Sequence, residues 1–158
     1  FYNHLNTGRP LEDGKWFMKF RSNYLDIDNE PLYPFGYGLS YTTFRYGKPS
    51  LSSTILSENG KILISVDVTN TGNYDADEIV QLYICDLVGS VSRPVKELKG
   101  FERICLKKGE TKTVTFTLTP DDLKFYNQEL EYKYEPGEFE VMVGPNSKNV
   151  QTLKFELK

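Results

Sequence analysis

Carboxylates that fall close together are the first places to look for acid–base or metal chemistry. Two such groups occur in the chain: Asp75, Asp77 and Glu78, and the adjacent Asp121 and Asp122. A close pair suits a general acid and base, and three acids on a flexible approach suit calcium. Their contexts point elsewhere. The Asn- and Gly-rich approach to Asp75 reads as a solvated turn between strands. Thr119-Pro120 ahead of Asp121 reads as a helix start, where acids favour the helix dipole. His4, the single histidine, has no serine or cysteine nucleophile context. Cys85 and Cys105 show neither Cys-x-x-Cys nor histidine spacing, so no metal site is expected there; free thiols are the expectation and a disulfide the alternative. No catalytic residue and no metal or organic cofactor is assigned within the chain.

The densest chemistry is aromatic. Residues 32–44, Leu-Tyr-Pro-Phe-Gly-Tyr-Gly-Leu-Ser-Tyr-Thr-Thr-Phe, hold five aromatics, one proline and two glycines. Pro34 fixes its own φ and pushes Tyr33 toward an extended shape, while Gly36 and Gly38 allow positive φ or a close approach of backbone. The segment reads as a packed, extended strap whose Tyr33, Phe35, Tyr37 and Tyr41 contact another domain. Stacking on sugar rings is the other use for Tyr33, Tyr37 and Tyr41, and for Tyr83 on the strand region that follows. The run Arg93-Pro94-Val95-Lys96-Glu97-Leu98 has two readings. It is an edge strand guarded by proline and charge, or it docks on a neighbouring domain with Arg93 and Lys96 reaching carboxylates or carbonyls there.

The elements that must hold these groups are strands. Residues 61–70 put Ile62, Ile64, Val66 and Val68 on one face; residues 78–86 put Val80, Leu82 and Ile84 inward with Gln81 and Tyr83 outward. Residues 95–106 form a further strand region broken near Gly100, and 111–119 alternate Val114, Phe116 and Leu118 with threonines. One short helical turn is expected at Thr119-Pro120-Asp121-Asp122-Leu123. Strand-like stretches at 129–134, 137–143 and 150–157 complete the set. Six or seven short strands at roughly ten-residue spacing predict an all-β, immunoglobulin-like antiparallel β-sandwich. Residues 1–31 show no sustained period, and their Trp16, Phe17, Phe20, Tyr24 and Leu25 are too irregularly placed to close a core alone.

Composition narrows the partners. A chain of 158 residues is long enough for one core burying about two-thirds of the unfolded surface. A net charge of −3 with interspersed signs offers no basic face for nucleic acid or an anionic membrane. Neither a membrane-spanning run nor a signal peptide is expected, and a start at Phe1 without methionine points to a fragment or processed product.

The strap sequence resembles the signature that closes the second domain of glycoside hydrolase family 3, the β-glucosidases and β-xylosidases, and leads into their fibronectin type III-like domain. The order Val68-Thr69-Asn70-Thr71-Gly72, Asp75-Ala76-Asp77-Glu78-Ile79-Val80-Gln81-Leu82-Tyr83, Arg93-Pro94-Val95-Lys96-Glu97-Leu98-Lys99-Gly100-Phe101, Glu135-Pro136-Gly137 and Val143-Gly144 is similar to that domain throughout. Tyr2-Asn3-His4 with Thr7-Gly8-Arg9-Pro10 resembles the tail of the family's α/β domain. The resemblance implies a division into residues 1–43, tail and interdomain strap, and 44–158, a fibronectin type III-like β-sandwich. It implies a parent enzyme that hydrolyses terminal non-reducing β-D-glycosyl residues with retention, without cofactors, using two carboxyl groups about 5 Å apart. The family's Ser-Asp-Trp-like nucleophile motif and its Lys-His substrate motif are absent, so catalytic residues are expected upstream and the chain alone inactive. The implied partners are the upstream catalytic domains, with a homodimer contact or a glycan contact as further possibilities. The implied location is periplasmic or secreted. An autonomous carbohydrate-binding or adhesion module is the alternative function.

Overall fold

Alternation of apolar and polar side chains builds two sheets here. The computed structural model describes residues 30–158. The readings made for His4 and for the Trp16 to Leu25 aromatics and leucine lie outside the described residues. The strands are β1 Phe44–Tyr46, β2 Ser50–Leu51, β3 Ile55–Leu56, β4 Ile62–Asn70, β5 Ala76–Asp86, β6 Glu97–Leu106, β7 Thr111–Leu118, β8 Phe125–Tyr126, β9 Tyr132–Lys133, β10 Gly137–Gly144 and β11 Gln151–Leu157. The expected helical turn is a single 3-10 turn, Pro120–Leu123, whose Asp122 carboxylate accepts from the Thr119 backbone N–H at 2.7 Å and the Thr119 hydroxyl at 2.8 Å. The Asp122 carboxylate thus satisfies the Thr119 backbone N–H, a donor the turn itself leaves open.

In one sheet β4 pairs antiparallel with β7, from Ile62↔Leu118 to Thr69↔Thr111, while β1 and β2 share its other side. The second sheet has the order β3-β11-β10-β5-β6, with β3 parallel to β11 and the rest antiparallel. Facing alternate residues meet between the sheets. Ile62, Ile64, Val66 and Val68 of β4 are buried against Val80, Leu82 and Ile84 of β5, Val141 and Val143 of β10, and Leu157. Each such side chain contributes about 2 kcal/mol over leaving it in water. Phe139 and Phe155 stack across β10 and β11 with ring centroids 5.4 Å apart. The break expected near Gly100 is a bulge: Leu82 pairs with Gly100 and Tyr83 with Leu98, leaving Lys99 extra.

Two expectations are corrected. Tyr83 and Gln81 do not face solvent, being 0% and 4% exposed. β5 is covered on both faces, because the strap and the 145–147 loop lie over its outer side, so sugar stacking at Tyr83 is excluded. Residues 129–134 are not one strand. The Asn127 side-chain oxygen captures the N–H groups of Glu129 and Glu131, at 3.0 and 2.9 Å, and Leu130 takes φ 62°. This closes a tight hairpin in which only Tyr132–Lys133 pairs, with β8. Cys85 and Cys105 are free thiols. Cys105 sits opposite Asp77, eight residues before Cys85 on β5, so about 26 Å of strand separates them.

Candidate interdomain contact surface

The strap turns because its sequence permits one specific turn. Tyr37 N–H donates to Pro34 C=O at 2.9 Å, and Gly36 sits at the third position with φ +80°, the positive φ that a type II turn demands. Glycine is needed there twice over, since a Cβ would stand 2.3 Å from Gln81 Nε2. Below it, Gln81 donates to Pro145 C=O at 2.7 Å and accepts from the Tyr83 hydroxyl, and Ser147 N–H donates to Phe35 C=O at 2.9 Å. Burial of the Tyr83 phenol pushes its pKa up to about 12. The strap therefore lies against the outer face of β5 at Gly36 and is fastened by a backbone hydrogen bond to the 145–147 loop, which the buried Gln81 in turn ties to β5.

A second fastening lies just before β1. The Thr42 hydroxyl donates to Asn70 Oδ1 at 2.7 Å, and Thr71 N–H donates to Thr43 C=O at 2.8 Å. Asn70, fully buried, also donates through Nδ2 to Tyr74 C=O at 2.8 Å and Leu106 C=O at 3.1 Å, and accepts from Gly72 N–H at 3.1 Å. Between the two fastenings the strap spans a groove of about 250 Å³ lined by Gly38, Leu39, Asp77, Glu78, Ile79 and Asn146. A wider groove of about 550 Å³ continues along Leu39, Tyr41, Tyr74 and Ala76.

The strap's apolar side chains face away from these fastenings. Tyr41 is 96% exposed and Leu39 89%; Leu32, Tyr33, Phe35 and Tyr37 are also exposed, and the Tyr33 and Tyr37 rings lie 5.2 Å apart. Together they present on the order of 900 Å² of apolar surface, beyond the 300–600 Å² of a typical largest patch. Leu32, Leu39, Tyr74, Ile79 and Phe101 belong to the exposed apolar set and were not singled out from sequence. The Leu-Ser-Tyr spacing after Gly38 was the available signal for Leu39; nothing local marks Ile79 or Phe101, whose exposure follows from β5 and β6 pairing at the sheet edge.

Arg93 and Lys96 are engaged within the chain. Arg93 Nη2 donates to Glu97 at 3.0 Å and its guanidinium lies 4.1 Å above the Phe125 ring, a cation–π contact. Lys96 Nζ donates to Ser147 C=O at 2.6 Å, which buttresses the loop beneath the strap. Of the acidic cluster only Asp75 lies in the turn; Asp77 and Glu78, expected in the same turn, are on β5 opposite Cys105 and Ile104, with Asp75 accepting from Lys108 N–H at 2.7 Å and Asp77 from Arg103 Nε at 2.8 Å. The Arg103 guanidinium holds the Asp77 carboxyl below its usual range, whereas burial raises that of Glu78. Among the described residues no group of three or more His, Cys, Asp or Glu side chains is placed to hold a metal, and no helix is long and apolar enough to cross a membrane.

A sequence model of the fibronectin type III-like domain matches residues 78–147. A periplasmic β-glucosidase of Salmonella typhimurium is 51% identical over 99% of this chain and 20% of its own length. A β-xylosidase of Formosa agariphila is 49% identical over 94% of this chain and 21% of its own. The crystal structure of a β-glucosidase from Listeria innocua in complex with glucose superposes with a TM-score of 0.91 at 44% identity, covering 99% of this chain and 22% of that one. The chain thus spans about a fifth of the length of these relatives.

Proposed function

We propose that this chain, which carries a fibronectin type III-like domain and is similar over nearly its whole length to about a fifth of a β-glucosidase, is the structural C-terminal part of such a family 3 enzyme. The parent hydrolyses terminal non-reducing β-D-glycosyl residues with retention, through carboxylates upstream of this chain. Residues 1–43 form the tail of the preceding domain and the strap, and 44–158 form the sandwich, a division supported by β1 starting at Phe44.

The observation that carries the reading is the strap itself, a backbone pinned to the sandwich by buried hydrogen bonds with Tyr33, Phe35, Tyr37 and Tyr41 turned outward. Such a rigid apolar strip matches the roughly 800 Å² that each partner gives to a standard interface. Arg93 and Lys96 support the contact indirectly, by holding the loops behind the strap. The occupant is the upstream catalytic body; a second copy of the chain on the same strip is the alternative, and sedimentation of the native enzyme separates them. The Salmonella relative, a periplasmic enzyme, supports a periplasmic or secreted location, which cell fractionation checks.

The test uses the native polypeptide that carries this chain. Tyr37→Ser with Tyr41→Ser lowers its thermal midpoint and its turnover of an aryl β-glucoside, while the 158-residue chain alone turns over none. Unchanged stability and turnover in the double variant would sink the docking role.

A further inference from the structure

The turn between β3 and β4 carries the sole Asn-Gly pair of the chain, Asn59-Gly60. Residues 58 and 59 form its tip, and Gly60 N–H donates back to Ser57 C=O at 2.8 Å. Asn59 is exposed there, with its side-chain amide hydrogen-bonded to nothing among the described residues. The other described asparagines differ. Asn70, Asn127 and Asn146 are buried, and each holds backbone groups through its amide. Asn73 and Asn149 are exposed but precede Tyr74 and Val150, whose side chains crowd the peptide nitrogen. At position 60 the turn itself demands glycine, since a Cβ would stand 2.5 Å from Ser57 Oγ and 3.2 Å from Ser57 C=O. The close turn therefore keeps beside Asn59 the one residue that leaves its own nitrogen open.

We propose that Asn59 is a site of spontaneous deamidation, with water as the only co-reactant. The Gly60 nitrogen, giving up its proton to solvent base, attacks the side-chain carbonyl carbon of Asn59. A new C–N bond closes a cyclic imide, and the bond to the amide nitrogen breaks to release ammonia. Water then opens the imide at one carbonyl or the other, giving aspartate or, with the main chain rerouted through the former side chain, isoaspartate. The bond from Gly60 N–H to Ser57 must open first, an event that comes readily to a turn whose Ser57, Glu58 and Asn59 are all exposed. Either product sets a carboxylate beside Glu58, whose Oε1 accepts from the Tyr134 hydroxyl at 2.9 Å. Isoaspartate also lengthens the backbone that ties β3 to β4. β3 is a two-residue edge strand pairing only with β11, and Lys158 N–H donates to Leu56 C=O at 2.9 Å. The lesion thus loosens the hold on the last strand of the chain, whatever enzyme carries it.

The experiment is peptide mapping by mass spectrometry of the native polypeptide that carries this chain, held at mildly alkaline and at acidic pH beside a free peptide of residues 55–63. The Asn59 peptide exchanges the mass of an amide for that of a carboxyl and becomes a substrate for an isoaspartyl methyltransferase, faster in alkali. It converts roughly tenfold faster than the peptides of Asn73 and Asn149, because glycine leaves the attacking nitrogen unobstructed. In Asn59→Gln the same peptide keeps its mass. Hydrogen exchange at the Lys158 amide accelerates with conversion, while the β4–β7 ladder keeps its protection. An intact Asn59 in the folded protein after the free peptide has fully converted overturns the proposal, as do equal rates at Asn59, Asn73 and Asn149. Conversion that leaves exchange at Lys158 unchanged overturns its reach into the last strand.

Discussion

Tyr83 shows how one side chain can contradict a sound strand pattern. Its alternation with Val80, Leu82 and Ile84 correctly assigned those three to the core and so put Tyr83 outside. Outside, however, is where the strap runs, and a cover supplied from 45 to 50 residues away in sequence leaves no trace in the period of the strand. The tyrosine with its hydroxyl on Gln81 is the consequence, and it carries a pH signature. Its folded pKa of about 12 lies above the ordinary phenol value, so the neutral form is favoured in the fold. The associated stability is fully present below about pH 10 and is lost as pH rises toward about 12, because the unfolded chain then gains more by ionising. Urea unfolding between about pH 8 and about pH 11 should show Tyr83→Phe less stable than the parent at the lower end and losing less stability at the upper. Parallel pH slopes for the two proteins would mean that the phenol is not shielded.

Elements were legible where one face met the core. β4, β7 and β11 follow period-2 runs closely, and the 3-10 turn follows from Thr119, Pro120 and the two acids. The 129–134 stretch was misread because Asn127 competes for the loop's N–H groups, a local capture that residue propensity does not register. How elements join was also hidden. Asn70 ends β4 and bonds the strap, the β4–β5 turn and the end of β6 through one amide. Asn70→Ala strands the buried Leu106 carbonyl and the half-buried Tyr74 carbonyl and leaves Thr42 without its acceptor, at a cost of about 2–4 kcal/mol. A urea midpoint that barely moves would show that water replaces the amide there. Asn70→Asp, which turns two donors into acceptors facing carbonyls, should be at least as damaging.

At the scale of the whole molecule the sandwich was readable, and Tyr33, Phe35, Tyr37 and Tyr41, marked by the aromatic density of the strap, are exposed. Their role as an interdomain contact rests on what lies outside the chain. Arg93 and Lys96 illustrate the limit: charge beside proline was visible, but their internal partners Glu97, Phe125 and Ser147 come together only through the fold. Gly36 connects these levels. Gly36→Ala forces a Cβ into Gln81 from a left-handed backbone, at a cost of about 1–2 kcal/mol. Hydrogen exchange should then accelerate at the Ser147 amide, which donates to the strap, while the amides of the β4–β7 ladder keep their protection. Uniform acceleration across both would mean that strap and sandwich unfold as one. The asymmetry has a mechanical side. Tension drawn through the strap loads the Phe35–Ser147 bond first and the Thr42 and Thr43 bonds next, one after another, whereas β4 and β7 share a load over eight paired residues. The strap is thus a fuse, placed to yield under a pull that the sandwich behind it withstands.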